Sequence, residues 1–296
     1  MFKVFGIAGL GLMGGSFAKA LRACTCGIDG ARILALDSDA DALSSAKSRG
    51  DIDEGYDPAS ADSMLSVCDI VFICLHPRSS ISFLKKHRRA FKKGSVVTDI
   101  SGVKAGLIGE LPAFLSDDFD FIAGHPMAGS EKEGFFHSDA AIFRGRNYIL
   151  MPLPSNKREN LEAFRKLVHA LGFERITETG FLEHDHKIAF TSQLCHVIAS
   201  ALVDSAEDTR ITDFGGGSYE DLTRIAMINA ALWTELFLDN KQELLAHITS
   251  FENSLLKFKQ YITNGEEASL RAALESVREK RTAMSRREPP LQRGRL

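Results

Sequence analysis

The chain is poor in the residues that mark disulfide-stapled or membrane-spanning proteins. Its 296 residues include only five cysteines, eight prolines and one tryptophan. Five is an odd number, and no cysteine pair has a His/Cys partner set at zinc-binding spacing, so we expect reduced thiols and no metal site. No apolar run reaches the roughly 18 residues that a membrane helix needs. No small-residue cleavage pattern follows the apolar N-terminus. These absences predict a cytoplasmic protein with no membrane partner.

The chain also lacks a charge excess of either sign. Its net charge is -3 at pH 7, which gives no indication of nucleic-acid binding. The one basic cluster lies in residues 286–296, where two prolines and few apolar side chains predict a disordered tail. The 44% hydrophobic content is enough for one large or two medium domains.

Short β-type runs alternate with amphipathic helical stretches over the first 180 residues. Such alternation is typical of a parallel sheet covered by helices on both faces. Strands are predicted at Lys3–Ala8, Arg32–Leu36, Ile70–Leu75, Ser95–Asp99, Phe121–Ala123 and Asn147–Met151, with Arg175–Glu178 as a last strand at the sheet edge. Helices are predicted at Gly14–Ala23, Ala40–Arg49, Ser79–Phe91, Lys104–Leu115 and Asn156–Leu171.

After Gly180 the strand signal disappears and apolar residues recur at helical spacing. Several of these stretches are apolar over more than one stripe, which indicates burial against partner helices or a second subunit. The predicted helices are Leu182–Ala206, Asp221–Asn229, Ala231–Thr263 and Glu266–Met284, and a run of glycines at 215–217 interrupts them.

A glycine-rich segment, Gly9-Leu10-Gly11-Leu12-Met13-Gly14, follows the first predicted strand and opens the first predicted helix. This context is what the dinucleotide-binding fingerprint GxGxxG requires. Gly9 permits a tight turn, Gly11 a close approach of the pyrophosphate, and Gly14 close packing of helix on strand. The phosphates would meet free amide groups at the helix N-terminus. We expect Gly9, Gly11, Leu12, Met13 and Gly14 to contact the cofactor.

An acidic residue, Asp37, ends the second predicted strand, where it can accept a hydrogen bond from an adenosine ribose 2′-hydroxyl. Its charge would repel a 2′-phosphate, so NAD is favoured over NADP. The chain is therefore predicted to hold an α/β Rossmann-type NAD-binding domain at residues 1–180. An all-α helical domain for substrate binding and dimerisation follows at residues 181–285, and the tail follows at residues 286–296.

Polar side chains stand at three later strand ends, which in a parallel sheet share one rim with the glycine loop. His76 ends one strand and is interpreted as structural or as a cofactor-ribose contact. The segment Asp99–Lys104 ends the next. His125 ends a third and is followed by Pro126, which holds it extended. Because histidine titrates nearest to physiological pH, His125 is the candidate proton acceptor.

With these motifs in order, the chain resembles the prephenate/arogenate dehydrogenases of tyrosine biosynthesis over essentially its whole length. Trp233 and Asn240 add to the resemblance. The motifs that carry it are Asp99-Ile100-Ser101-Gly102-Val103-Lys104, His125-Pro126-Met127-Ala128-Gly129-Ser130, His184-Asp185, Ser192–His196 and Gly216–Ala226.

The resemblance implies oxidative decarboxylation of a cyclohexadienyl substrate with NAD. The excess apolar surface of the helical domain predicts a homodimer paired through that domain. The resemblance also implies that His125 takes the 4-hydroxyl proton and that Arg224 clamps a substrate carboxylate, for which a guanidinium fork is well shaped. His196 and His184 lie about three turns apart on roughly one face of a predicted helix. His196 is expected to contact substrate or to orient another group, and His184 either to contact substrate or to support the helix. Gly217 and Trp233 are further expected substrate contacts.

Two positions depart from the family pattern. Many members have glycine then serine after an Asp-Val pair, and that serine bonds the catalytic histidine and the substrate hydroxyl. Here the order is Ser101-Gly102, so either Ser101 serves from the adjacent position or the role is lost. Cys195 stands where a proline is usual and is expected to be buried and inert.

Other functions fit parts of the sequence. Arogenate is the alternative substrate, since it differs from prephenate only by an amino group in place of a keto group. A β-hydroxyacid or imine reductase would share the two-domain design but leaves the His125 motif unexplained. A dinucleotide-sensing or scaffold protein would keep the glycine loop without needing His125, His196 and Arg224 together.

Overall fold

The structure is a computed structural model that describes residues 2–25 and 30–285. The predicted tail at residues 286–296 lies outside the described residues. One eight-stranded sheet with strand order β3-β2-β1-β4-β5-β6-β7-β8 organises the N-terminal part. Its strands are β1 Val4–Ala8, β2 Arg32–Leu36, β3 Glu54–Tyr56, β4 Ile70–Ile73, β5 Ser95–Asp99, β6 Phe119–Pro126, β7 Asn147–Met151 and β8 Arg175–Glu178.

Strands β1 to β6 pair in parallel, as the alternation of strands and helices predicts. The direction then reverses, because β7 pairs antiparallel to β6 and β8 pairs parallel to β7. This reversal corrects the expectation of a parallel sheet throughout. The short β3 was not predicted, since its three residues carry no alternating pattern. The edge position predicted for β8 is confirmed.

The reversal lengthens β6 beyond the predicted Phe121–Ala123. Residues Ala123 to Pro126 pair with Met151 to Tyr148 of β7, so the strand continues through His125. The histidine is therefore the second-last residue of a paired strand, not part of a free loop. Backbone pairing on β7 fixes its Cα position at the carboxyl end of the sheet.

Helices cover both faces of the sheet and bury two separate apolar clusters. One cluster packs α1 and α6 on the sheet through aromatic side chains such as Phe17, Phe72 and Phe164. The other packs α3, α4 and α5 on the opposite face. The helices of this part are α1 Leu12–Thr25, α2 Ala40–Ser48, α3 Ala61–Leu65, α4 Pro77–His87, α5 Ala105–Phe114 and α6 Arg158–Ala170.

The remainder of the described chain is helical, as predicted, but its helices are shorter. The predicted Leu182–Ala206 helix contains a π-helical turn at Ala189–Gln193. The predicted helix at Asp221–Asn229 is replaced by an earlier helix and a 3₁₀ turn at Arg224–Ala226, and Asn240 interrupts the predicted Ala231–Thr263 helix. The helices are α7 Phe181–Ile188, α8 Leu194–Asp204, α9 Gly217–Thr223, α10 Ala230–Asp239, α11 Lys241–Thr263 and α12 Glu267–Ser285.

By contacts, the chain divides into two compact units, residues 1–244 and 245–296. The first contains the sheet and the helices up to α10. Within the described part of the second, α11 and α12 expose apolar side chains. Among residues 2–25 and 30–285, none of the helices is long and apolar enough to cross a membrane.

A buried ion pair ties the carboxyl ends of β5 and β6 together. The Lys104 ammonium lies 2.5 Å from the Asp99 carboxylate and also donates to the Gly124 carbonyl at 2.7 Å. The side chains of Lys104 and Asp99 are both inaccessible to solvent. Burial lowers the pKa of Lys104, and the Asp99 charge opposes that shift. Removal of either charge would therefore leave the other one buried without a partner.

We expect Lys104→Met to lower the free energy of unfolding by about 3–5 kcal/mol, because it leaves the Asp99 charge buried without a partner. The double variant Lys104→Met/Asp99→Asn removes both charges and should lose less stability. Urea denaturation measures both, with the exposed Lys93→Met as control. Equal losses in the single and double variants would contradict this explanation.

Candidate active site

A cleft of about 710 Å³ opens at the carboxyl ends of β1, β4, β5 and β6. The glycine loop, the three polar strand ends and residues from α8 to α10 line it together. Nine of the predicted site residues therefore meet in one place. The cleft is lined, among others, by Gly11, Leu12, Met13, His76, Ser101, His125, His196, Arg224 and Trp233.

The glycine loop has the tight geometry that its sequence predicts. Gly9 has a φ of +94°, and a side chain there would collide with the Cys74 carbonyl. A Cβ on Gly14 would lie 1.9 Å from the Gly9 carbonyl oxygen, so only glycine lets α1 begin this close to β1. Gly11 differs, because a Cβ there meets no atom within 4 Å. Space is thus open beside Gly11 at the start of α1, where amide groups are available to a phosphate.

Asp37 lies at the end of β2 beside this loop. Its carboxylate accepts hydrogen bonds from the backbone amides of Leu10 and Asp39. Asp37 is half-buried and does not itself line the cleft. The two amides fix the carboxylate next to the glycine loop, in the position that the dinucleotide fingerprint assigns to its acidic residue.

The His125 ring lies at the cleft wall and contacts a second histidine behind it. Its Nδ1 is 2.9 Å from Nε2 of His184, and the two rings meet edge to face. Burial, together with the nearby His184 and Lys104, holds the pKa of His125 well below its ordinary value. His125 is therefore neutral near pH 7, which is the form that can accept a proton.

His184 does not line the cleft where it was expected to contact substrate. It is 1% exposed, and its Nδ1 lies 2.7 Å from Oδ1 of Asp185. The Asp185 carboxylate in turn accepts the backbone N–H groups of Lys104 and Ala105, at 2.7 to 3.1 Å. Asp185 thus joins the first turn of α5 to α7. The chain of contacts continues from Asp185 through His184 to the ring of His125.

The π-helical turn places two residues of the long helix at the cleft. Gln193 lines it, and its side chain is held by the Leu236 carbonyl and by the Asn240 amide. His196 follows, with Nδ1 donating to the Ser192 carbonyl at 2.9 Å. Its ring centroid lies 3.6 Å from that of Trp233, with the two planes tilted by 31°. Burial lowers the pKa of His196. Its neutral ring keeps Nε2 as a hydrogen-bond acceptor.

Arg224 is one of the basic residues that line the cleft, together with Lys132 and Arg146. Its guanidinium pairs with Glu131 at 3.2 Å, and its side chain remains 58% exposed. An exposed pair of this kind contributes little stability and can exchange partners. A substrate carboxylate can therefore compete with Glu131 for the guanidinium.

The residue beside Nε2 of His125 is Gly102. A Cβ built on Gly102 would lie 3.7 Å from Nε2 of His125, within ordinary contact distance. Ser101 lines the cleft and donates its backbone N–H to Asp99. The order Ser101-Gly102 thus leaves no side chain at the position next to Nε2.

Three predicted residues lie away from the cleft lining besides His184 and Asp37. Gly9 and Gly14 shape the loop from behind, while the exposed Gly217 begins α9. The sequence motifs contained Asp185, Lys104 and Gln193 but gave them no role. The available signal was the adjacency of an acid to His184, yet nothing in a single sequence shows that this acid faces the start of α5. Cys195, expected to be buried, is exposed on α8.

Comparison with known proteins gives the same result in both halves of the chain. The family model described as prephenate dehydrogenase, nucleotide-binding domain, matches residues 17–176. The one described as prephenate dehydrogenase, dimerization domain, matches residues 182–276. The chain belongs to the prephenate dehydrogenase family. The resemblance read from the sequence motifs is thereby confirmed, and so is the fold class.

Relatives within the prephenate dehydrogenase family match nearly the whole chain. The prephenate dehydrogenase of Bacillus subtilis is 26% identical over 289 residues, 95% of this chain and 76% of the relative. The cyclohexadienyl dehydrogenase of Zymomonas mobilis is 27% identical over 282 residues, 89% of this chain and 90% of the relative. A crystal structure of the Aquifex aeolicus prephenate dehydrogenase, in complex with hydroxyphenyl propionate and NAD+, superposes with a TM-score of 0.85. It is 30% identical and covers 96% of this chain and 99% of its own.

We expect His125 to stay neutral well below pH 6.5, because its surroundings disfavour the protonated ring. NMR titration of the histidine ring protons measures this, and the spectrum of His125→Asn identifies the signal. A titration midpoint at or above pH 6.5 would contradict the geometry.

Proposed function

We propose that the protein catalyses the NAD-dependent oxidative decarboxylation of prephenate to 4-hydroxyphenylpyruvate. Membership of the prephenate dehydrogenase family supports the reaction class. The observation that carries the proposal is a single cleft that holds an open glycine loop, a neutral histidine and an exposed arginine. The reaction needs these three elements, because the enzyme must bind a dinucleotide, remove a hydroxyl proton and anchor carboxylates.

The residues around the glycine loop fit NAD. Open space beside Gly11 and the free amides at the start of α1 would receive the pyrophosphate, and Asp37 the adenosine ribose hydroxyls. Leu12, Met13 and His76 line the cleft next to them. When bound, NAD supplies the acceptor for the hydride that leaves C4 of the substrate. The Asp37 charge disfavours the 2′-phosphate of NADP.

His125 is the proposed base. Its Nε2 takes the proton of the 4-hydroxyl as the C4 hydrogen departs with its electron pair, so the oxygen becomes a carbonyl. The bond from C1 to the ring carboxylate then breaks and releases CO₂. Its electron pair enters the ring, which becomes aromatic as a phenolate. His125, protonated in the first part, can return that proton to the phenolate oxygen.

Arg224 is the proposed carboxylate clamp. A guanidinium fork can hold a carboxylate by two parallel hydrogen bonds, which fixes orientation as well as charge. Substrate would displace Glu131, whose exposed pairing with Arg224 costs little to break. The neutral His196 presents an acceptor to the substrate, and Trp233 in contact with it presents an apolar surface to the substrate ring.

We expect turnover with prephenate and NAD in an assay that follows NADH absorbance, with much weaker turnover with NADP. Arogenate and a 3-hydroxyacid are assayed in parallel with both cofactors. Preference for arogenate would make arogenate the substrate and leave the proposed reaction class unchanged. Turnover of none of them would reject the proposal in favour of a dinucleotide sensor.

We expect His125→Asn to lower kcat by at least about 100-fold, because asparagine cannot accept the hydroxyl proton. NAD binding should be almost unchanged, since the histidine stands apart from the glycine loop. His137→Asn, an exposed histidine outside the cleft lining, is the matched control. Retained turnover in His125→Asn would reject the assignment of the base.

Ser101 is the proposed donor to the substrate hydroxyl. We expect Ser101→Ala to lower kcat by about tenfold, the loss of one transition-state hydrogen bond. Gly102→Ser in that background should restore activity, because a serine hydroxyl there reaches Nε2 of His125 without a collision. Full activity in Ser101→Ala would show that Ser101 has no such role.

We infer that two copies pair through residues 181–285. The match to a dimerization domain supports this, as do large apolar side chains exposed on α11 and α12. These include Leu255, Leu256, Ile262, Leu274 and Val277. Sedimentation at micromolar concentration should give a dimer, and a stable monomer would contradict the inference. The proposed division at residue 180 would place the pairing surface outside the NAD-binding domain.

A further inference from the structure

We propose that His184, held by Asp185, is a positioning residue that fixes which ring nitrogen of His125 carries the proton. The proposal rests on the function proposed above, since it concerns how His125 is kept ready as the base. It follows from the order of donors and acceptors along one chain of hydrogen bonds. None of the residues that determine it touches the substrate, because His184 is buried behind the cleft wall.

The first link of the chain determines the tautomer of His184. The Asp185 carboxylate can only accept, so the proton between Oδ1 and His184 Nδ1 belongs to the histidine. In the form of the His184 ring that carries only this proton, Nε2 has no hydrogen and is an acceptor. This nitrogen lies 2.9 Å from Nδ1 of His125.

The second link transmits this choice to His125. Because Nε2 of His184 accepts, Nδ1 of His125 must carry the hydrogen and donate it. A neutral imidazole has one N–H, so Nε2 of His125 is left with its lone pair. That nitrogen is the one 3.7 Å from the site of a Cβ on Gly102, at the cleft. The lone pair is therefore on the nitrogen that can receive a substrate proton.

Asp185 is anchored so that the chain of bonds has one orientation. Its two oxygens take three hydrogen bonds from the backbone amides of Lys104 and Ala105 at the start of α5. The helix N-terminus also favours the carboxylate charge. The remaining charged groups nearby, the Lys104 ammonium and the Asp99 carboxylate, are paired with each other. Asp185 can therefore act only as a hydrogen-bond acceptor toward His184.

Two substitutions at His184 separate positioning from packing. In His184→Gln, the amide oxygen takes the place of Nε2 and can still accept from His125, while the bond to Asp185 is lost. In His184→Asn, the amide nitrogen takes the place of Nδ1 and can still donate to Asp185, while nothing reaches His125. If His184 acts only through its bond to Asp185, the Asn variant should be the more active of the two. If His184 positions His125, the Gln variant should be the more active.

We expect His184→Asn to lower kcat by about 100-fold with little change in KM for NAD, as for lost support behind a catalytic histidine. His184→Gln should keep kcat within about tenfold of the parent. His186→Asn, on the same helix but paired with Glu243 at the surface, is the control. Equal activity of the Asn and Gln variants, or a more active Asn variant, would overturn the proposal.

Nitrogen-15 NMR of the ring of His125 reads the tautomer without any assay of activity. In the unsubstituted protein, Nδ1 should carry the proton and Nε2 should not, and His184→Asn should give a mixture. A proton on Nε2 in the unsubstituted protein would overturn the proposal.

The two proposals fail in different ways. Turnover retained in His125→Asn rejects the base assignment itself. An inactive His125→Asn together with a fully active His184→Asn leaves the base in place and rejects only the positioning role of His184.

Discussion

The site depends on one carboxylate, that of Asp185, held by the backbone amides that open α5. Those amides have no partner within their own helix, so the fold supplies donors that must be satisfied from elsewhere. Asp185 satisfies them and orients His184, which contacts His125. A helix start in the α/β part thus determines the geometry of His125, the proposed base, on a neighbouring strand. The helical part of the unit contributes the acid that makes this possible.

A second constraint keeps β6, the strand that carries His125, in place. Lys104 binds Asp99 on β5 and the Gly124 carbonyl on β6, one residue before His125. The same lysine residue gives its backbone amide to Asp185. Its side chain therefore fixes the strand and its backbone fixes the second histidine. The positive charge nearby also helps to keep His125 neutral.

The parts of the fold that depend on local pattern could be predicted from the sequence. The glycine loop, Asp37 and the strand end at His125 follow from spacing and chain order. In the structure the loop and His125 line one cleft, and Asp37 lies beside the loop. The extension of β6 could not be predicted, because it depends on β7 turning back to pair with it. The burial of His184 was missed for a similar reason. Helical periodicity shows which face a residue is on, but not that α5 begins opposite that face.

The position of the π-helical turn had no signal in the periodicity, and it shifts the register of Gln193 and His196 relative to a regular helix. Long-range packing therefore decided the residues that support the site, while local sequence decided the residues that form it. Gly102 is one of the residues whose place was decided by long-range packing, since only the folded chain shows that it is the neighbour of His125 Nε2.

A crystal structure of the protein with NAD and the product 4-hydroxyphenylpyruvate tests the central claim most directly. The account predicts the phenolic oxygen within about 2.6–3.2 Å of His125 Nε2. It also predicts that the His125 Nδ1 contact with His184 is unchanged and that the product carboxylate replaces Glu131 on Arg224. A phenolic oxygen bound to another group, with His125 turned away from it, would contradict the account.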